Sequence, residues 1–298
     1  MRTKSNARRD AEHVGRSPKI DFLYCNTMQS DLYGIVLTYL QPYELAVVTG
    51  NHTTDTYLNA VEHDNIQYLK VYKKYYTDEA MHVAAQFGNC DAIRVFKTFG
   101  WIDIRYSFDH AAKFGQISVL FLLKRFGVTY FDRALYNAAR HNHIPTLYVL
   151  KRFGATDFET AAGYAAEKGH LSVLQTFKEF GVTDFNFALV HAAQYNQCDA
   201  LRWLKECGAD DFDFALVHAA RNNHCDALRL LREFGATDFD DAFEEAAHYN
   251  HCDALVVLKD FGVTNFEYAL SLATKLEHVE AVVLIKSWCK NQLVDFKN

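Results

Sequence analysis

Proline is nearly missing from this sequence, with three residues in 298. The residue that most strongly interrupts a helix is thus rare, and long helical stretches are open almost everywhere. Long apolar runs are missing too. None approaches the roughly 20 residues that a bilayer-spanning helix needs, and the N-terminus lacks the continuous apolar stretch of a secretory signal. There is no phosphate-cradling GxxxxGK, no nucleophile elbow and no HExxH. These absences predict a chain that is not an enzyme, holds no cofactor and does not enter a membrane. The seven cysteines are expected to form no disulfide, and a shared repeat position accounts for four of them below. A reducing compartment, cytoplasm or nucleus, is expected.

Charge is short on the positive side, with a net formal charge of -6. Residues 1–20 run against this balance: Arg2, Lys4, Arg8, Arg9, Arg16 and Lys19 face only Asp10 and Glu12. That segment is basic with no apolar core, and is expected to be disordered. The rest of the chain is the more acidic for it. An acidic body repels phosphate backbones, which argues against nucleic acid as the ligand.

What is abundant is repetition. Glycines at 100, 127, 154, 181, 208, 235 and 262 are each 27 residues apart, and Phe precedes all but Gly208, which follows Cys207. A fixed period in this range signals a solenoid or an array. In the unit 181–207, Phe185, Ala188, Leu189, Ala192 and Ala193 follow the spacing of a helix with one buried stripe. Asp184 precedes it, placed to accept from helix-start amides. A second acid recurs two residues later (Asp132, Glu159, Asp213, Asp240, Glu267), suited to the positive end of the helix dipole. A second helix carries Ala200, Leu201 and Leu204, with Asp199 near its start and Lys205 in its last turn. The next glycine caps it in a left-handed conformation. Alanine pairs at the core positions (Ala138–Ala139, Ala165–Ala166, Ala192–Ala193) let helices of adjacent units approach closely. No unit buries its stripe alone, so several must stack.

The segment AAEKGHLSVLQTFKEFGVTDF (165–185) resembles the ankyrin repeat, with its alanine pair, Gly-His turn, short second helix and Gly-Val-Thr exit. The pattern runs from about residue 80 to 288. Ankyrin units usually have 33 residues and open on Thr-Pro-Leu-His. This chain has 27 and Thr-Asp-Phe, and the shortage predicts a tight loop in place of the β-hairpin finger. The compact form is similar to repeats encoded by large DNA viruses of amoebae, which implies action inside a host cell, in its cytoplasm or nucleus. The expected fold is all-α, an ankyrin-like solenoid of about nine stacked helix-turn-helix units, the first and last atypical. The expected organisation is a basic tail (1–20), a helical segment (21–55), the stack (56–289) and a polar C-terminal tail (290–298).

Residues 35–45 (IVLTYLQPYEL) resemble the heart of an F-box, where a helix ends in Tyr-Leu, a proline turn follows, and Glu-Leu opens the next helix. The matching positions are Leu32, Ile35, Leu40, Pro42 and Leu45. The resemblance implies docking on the Skp1 subunit of a cullin-RING ubiquitin ligase, with the repeats holding a substrate. Gln29-Ser30-Asp31 stands where the family has Leu-Pro, and Thr49-Gly50-Asn51 replaces its Val-Cys-Lys/Arg. The other reading is a helical cap over the first repeat, and both stay open on sequence.

His224-Cys225 and His251-Cys252 look like metal-ligand pairs. Yet Cys90, Cys198, Cys225 and Cys252 share one repeat column with Ile117, Ile144, Leu171 and Val279, where cysteine acts as a small hydrophobe. Equivalent residues of stacked helices lie about 8–10 Å apart, too far for one zinc, whose ligands sit about 2.0–2.3 Å from it. The preceding column (His143, His170, His224, His251, His278) is expected to bond backbone groups in the turn between helices.

In ankyrin stacks the first helices line a concave binding face. The resemblance places His110, Lys113, Tyr136, Arg140, Tyr164, His191, His218, Arg221, His248 and Tyr268 there, with Phe187 and Phe214 read as packing on each other. Exposed aromatics with arginine are the composition of protein-binding hot spots. The function expected is a protein-interaction scaffold for a partner the sequence does not name. The alternatives are an F-box adaptor to Skp1 and a self-associating structural protein.

Overall fold

A computed structural model describes residues 40–100 and 103–295, and among them every regular element is helical. The described residues divide into two compact units, one ending at Ser107 and one beginning at Phe108.

In the first unit, α1 (Pro42–Thr49) opens on Pro42, whose ring presets the helical φ. The Glu44 carboxylate accepts from the Gln41 amide at 2.9 Å. Tyr43 and Ala46 are buried, and the Tyr43 ring lies 5.9 Å from both His63 and Tyr68. Two helix pairs follow: α2 (Thr54–Glu62) with α3 (Ile66–Val71), and α4 (Asp78–Phe87) with α5 (Cys90–Thr98). The boundary between the units falls inside α6 (Ile104–Lys113).

The second unit continues as helix pairs in strict register. α7 (Ile117–Arg125) completes the pair begun by α6, and α8 (Asp132–Arg140) pairs with α9 (Ile144–Phe153). Next come α10 (Phe158–Glu167) with α11 (Leu171–Phe180), and α12 (Asn186–Gln194) with α13 (Cys198–Glu206). Then follow α14 (Phe212–Arg221) with α15 (Cys225–Phe234), and α16 (Phe239–His248) with α17 (Cys252–Phe261). The last pair is α18 (Glu267–Lys275) with α19 (Val279–Asp295). The nine helix pairs expected from the sequence are thus present among the described residues. The predicted short loop stands where a hairpin finger would be, as in the four residues 154–157 between α9 and α10.

The alanine pairs set how closely these helices pack. Ala165, Ala166, Ala192, Ala193, Ala219 and Ala220 all have 0% exposure. First helices stack on first helices and second on second, with the larger core residues Leu135, Phe177, Leu201, Leu228 and Phe243 filling the space between. At the last unit the pattern turns polar. Thr274 stands exposed where Ala247 is buried, and Lys286 lines an open cleft with Glu267, Leu270 and Lys275. A polar outer face is what a terminal repeat needs. α19 runs on through Asp295, since Cys289 occupies the register position where other units have a terminating glycine.

Candidate interaction surface

Many polar side chains of the second unit are taken up in joining one repeat to the next. The turn histidines bond backbone, as their column predicted, and their target is the last carbonyl of the preceding unit's first helix. His143 Nε2 reaches Lys113 O at 2.9 Å, His170 reaches Arg140 O at 3.1 Å, His251 reaches Arg221 O at 3.0 Å, and His278 reaches His248 O at 2.8 Å. Gln197 makes the same bond to Glu167 O at 3.1 Å. Each satisfies a carbonyl that a helix end leaves unpaired.

The residue just before this column was not singled out in the sequence, and it carries as much. Asn142, Asn196, Asn223 and Asn250 have φ between 55° and 60°, the left-handed region that asparagine tolerates. The Asn196, Asn223 and Asn250 Oδ1 atoms accept from the amides of Ala227, Ala254 and Ala281 in the next unit, at 3.1, 3.0 and 3.2 Å. One side chain thus makes the turn and caps the next second helix.

The helix-start acids divide their work. Asp157 and Asp238 accept from first-turn amides of their own helices, and Asp184 accepts from Asn186 N at 2.8 Å. The second acids, expected to serve the helix dipole, also reach across. Asp132 accepts from Thr156 and Asp157, and Asp213 from Thr237 and Asp238, with Asn186 doing the same toward Asp210 and Asp211. A cation in the last turn of most second helices lies over the ring that closes the next unit. Lys124 is 4.0 Å from the Phe153 centroid, Lys151 4.0 Å from Phe180, Lys205 4.3 Å from Phe234 and Arg232 4.6 Å from Phe261. Where Cys207 replaces the ring, Lys178 Nζ donates to its sulfur at 3.3 Å.

What these contacts leave exposed includes the outward side of the first helices. Several residues assigned there turn out to be engaged within the stack. The Tyr136 hydroxyl donates to Asp157, and its ring stacks on Tyr164 at 5.4 Å. Arg140 and Lys168 both bind Glu167, at 2.6 and 3.0 Å, and Glu167 is only 3% exposed. Burial alone would raise the Glu167 carboxyl, but the hydrogen bonds and charges of Lys168 and Arg140 outweigh it and hold the group below its ordinary range. Arg221 grips Glu245 with two bonds, at 3.0 and 3.1 Å. His110 and Lys113 are half-buried beside Phe114, with the Lys113 ammonium 5.3 Å from that ring. His248 is exposed with its ring 4.7 Å from Tyr249, and Tyr268 is exposed.

Phe187 and Phe214 turn onto their own helices rather than onto one another. Phe187 lies 4.4 Å from the His191 ring, and Phe214 4.8 Å from His218. Phe187 also crosses Gly163 of the preceding unit so closely that a Cβ there would meet the ring at 2.5 Å. Both remain about half exposed, at 48% and 53%. They belong to one register column that continues through Asp241 and Tyr268, all exposed. Beside Asp241 lie Asp238, Asp240, Glu244 and Glu245. Burial and then the charges of Asp241, Asp240, Asp238 and Glu245 raise the Glu244 carboxyl above its ordinary range. Neither Asp241 nor Glu244 was among the residues read from the sequence as partner-binding.

His191 and His218 sit behind the phenylalanines, each with a buried Nδ1 that no hydrogen bond satisfies. Burial lowers both rings' proton affinity; the Glu167 charge partly offsets this at His191, whereas Arg221 and His191 add to it at His218. A histidine lowered on folding binds more protons unfolded, so its contribution is complete above the ordinary histidine pKa and is lost as pH falls through that range. Thermal midpoints measured by circular dichroism should therefore fall between about pH 7 and 5. The pair His191→Gln and His218→Gln should flatten that slope, and an unchanged slope in the double variant would count against this assignment.

Of the residues carrying the F-box resemblance, Leu32 and Ile35 lie outside the described residues, as does the Leu45 side chain. Leu40 is half-buried at a bend, and Pro42 is exposed at the start of α1. The basic tail, residues 1–20, also lies outside them. Among the described residues no helix is long and apolar enough to cross a membrane, and no group of three His, Cys, Asp or Glu side chains is placed to hold a metal ion. The thiols of Cys90, Cys198, Cys225 and Cys252 are half-buried at the starts of second helices, and burial raises each above the ordinary thiol range.

No protein-family model matches the chain, and no curated protein matches it. Among solved structures it is similar to the human ASB11 ankyrin repeat domain. The TM-score is 0.43 at 21% sequence identity, over 69% of this chain and 96% of that one.

Proposed function

We propose that the chain is a scaffold that binds another protein, and that the outward side of the first helices α12, α14, α16 and α18 is the binding face. One observation carries this reading. Within a framework held constant from unit to unit, an exposed column of the first helices changes character along the stack: Phe187, Phe214, Asp241, Tyr268. Its flanking alanines stay buried and alike. A rigid backbone displaying different side chains at even spacing is the arrangement a protein surface can read, and half-exposed aromatics are typical anchors. The setting proposed is the interior of a cell, host cytoplasm or nucleus.

The test is affinity capture from a cell lysate with two matched variants. Phe187→Ser with Phe214→Ser alters the proposed face. Arg202→Ser with Arg229→Ser alters exposed positions on the second helices. A captured protein lost with the first variant and kept with the second supports the face. Capture that survives both, or fails with the unaltered chain, contradicts it. Self-association is the reading that remains if light scattering shows a dimer lost with the same face variant.

For residues 21–55 the favoured role is a cap, supported by Tyr43 and Ala46 burying themselves against the first repeat. The adaptor role is the alternative. If the segment is a cap, purified Skp1 should not bind the intact chain; saturable binding abolished by Leu40→Asp would restore the adaptor.

A further inference from the structure

We infer that the stripe Phe187–Phe214–Asp241 receives an extended segment of another protein, one that offers apolar side chains three residues apart and a lysine or arginine three residues further on. The inference rests on the binding face proposed above and specifies its occupant.

Spacing is the first argument. Equivalent positions of adjacent packed helices lie about 8–10 Å apart. A polyproline-type extended chain has three residues per turn and rises about 3.1 Å per residue, so the same side recurs every ~9 Å. One residue in three then meets one repeat each. In a pleated strand the same side recurs at about 7 Å, which falls out of step within two repeats. A docked helix needs an apolar band several residues wide. The stripe here is one residue wide, bordered by His191, His218 and Arg221.

Charge is the second argument. Glu245 is satisfied by Arg221 at 3.0 Å, and Asp238 caps its own helix through Asp241 N. Among the described residues no cation pairs with Asp240, Asp241 or Glu244. Asp238, Asp240, Asp241 and Glu244 thus gather like charge within two turns of one helix start, and burial followed by those charges raises the Glu244 carboxyl. A cation arriving at Asp241 relieves that repulsion, while the half-exposed rings of Phe187 and Phe214 lose water to apolar side chains. The two ends of the stripe therefore differ, and they fix the direction in which the segment lies.

The probe is a random dodecapeptide display library selected on the intact chain, followed by affinity measurements on the winning peptides. Enrichment of two apolar residues and one Lys or Arg at intervals of three supports the inference. Phe214→Ala should then weaken the selected peptide at least tenfold. Asp241→Asn with Glu244→Gln should remove the salt dependence of its affinity without lowering the thermal midpoint, since these changes remove repulsion rather than packing. Reselection on Asp241→Lys should bring an acidic residue to the same place. Enrichment with intervals of two or seven, with no charge preference, or indifferent to Phe214 and Asp241 overturns the inference and leaves the scaffold standing. If no peptide is enriched and lysate capture also fails, both readings fall.

Discussion

Replacing Phe177 by alanine is expected to cost about 3–5 kcal/mol of unfolding free energy, the usual range for deleting a fully buried ring. Phe177 has 0% exposure, and its ring lies 6.0 Å from Phe158 and 6.1 Å from Phe180. It fills the volume between the two helices of its own unit beneath the alanine-lined contact with the next. The surrounding helices cannot collapse into the void, because hydrogen bonds to both neighbouring units fix their separation. His170 ties this unit to the one before, and Gln197 of the following unit ties back to Glu167. Urea denaturation followed by circular dichroism measures the loss. Because each repeat touches only its neighbours, the damage should be local, and the variant should melt in two steps where the parent melts in one. Phe187→Ala, which removes a ring of the same size from a half-exposed site, should cost less than about 1 kcal/mol.

The second large effect is expected at a polar residue. Asn223 has φ +59° and accepts from Ala254 N of the next unit at 3.0 Å. Valine there forces a β-branched side chain into left-handed backbone, a strain of about 1–3 kcal/mol. It also leaves the Ala254 amide without its partner, which costs roughly a further 1 kcal/mol. Asn223→Gly separates the two contributions. Glycine adopts the turn without strain, as Gly115 and Gly169 do at the same register position, so only the bonds to the next unit are lost, the one accepted from Ala254 N and an exposed one donated to Asp253 at 3.3 Å. The valine variant should be destabilised by about 2–4 kcal/mol and the glycine variant by about 1 kcal/mol. Equal losses would mean that the turn conformation contributes nothing.

Asn223 also shows where the sequence is readable and where it is not. Its column is visible at 142, 196, 223 and 250, in the same 27-residue step that places the glycines. The existence of the pairs, their buried stripes and the short loops all follow from periodicity and from the conformational needs of single residues. The bonds of the column do not, since their partners lie 30 or 31 residues away and depend on how far one unit rises on the next. The surface depends on the same rise from unit to unit. The resemblance places Tyr136, Arg140 and Tyr164 on one face, yet they stand in three different columns and meet Asp157, Glu167 and each other. Asp241 and Glu244 carry no signal of a surface in the sequence, because acids near a helix start have a sufficient local reason to be there. Asp241 stands one 27-residue period after Phe214, and the packing of α14 against α16 turns that step in sequence into neighbouring positions in space.

The claim on which everything else depends is that the units are interchangeable along the chain. Deleting residues 208–234, one whole period, joins Cys207 to Gly235 and keeps every column in register. Far-ultraviolet circular dichroism with a thermal melt should show the same helicity per residue as the parent and a single cooperative transition. Deleting residues 208–221 instead, about half a unit, should abolish that transition by leaving a second helix without its partner. A full-period deletion that unfolds the protein, or a half-period deletion that leaves it as cooperative as before, would contradict a stack of equivalent helix pairs.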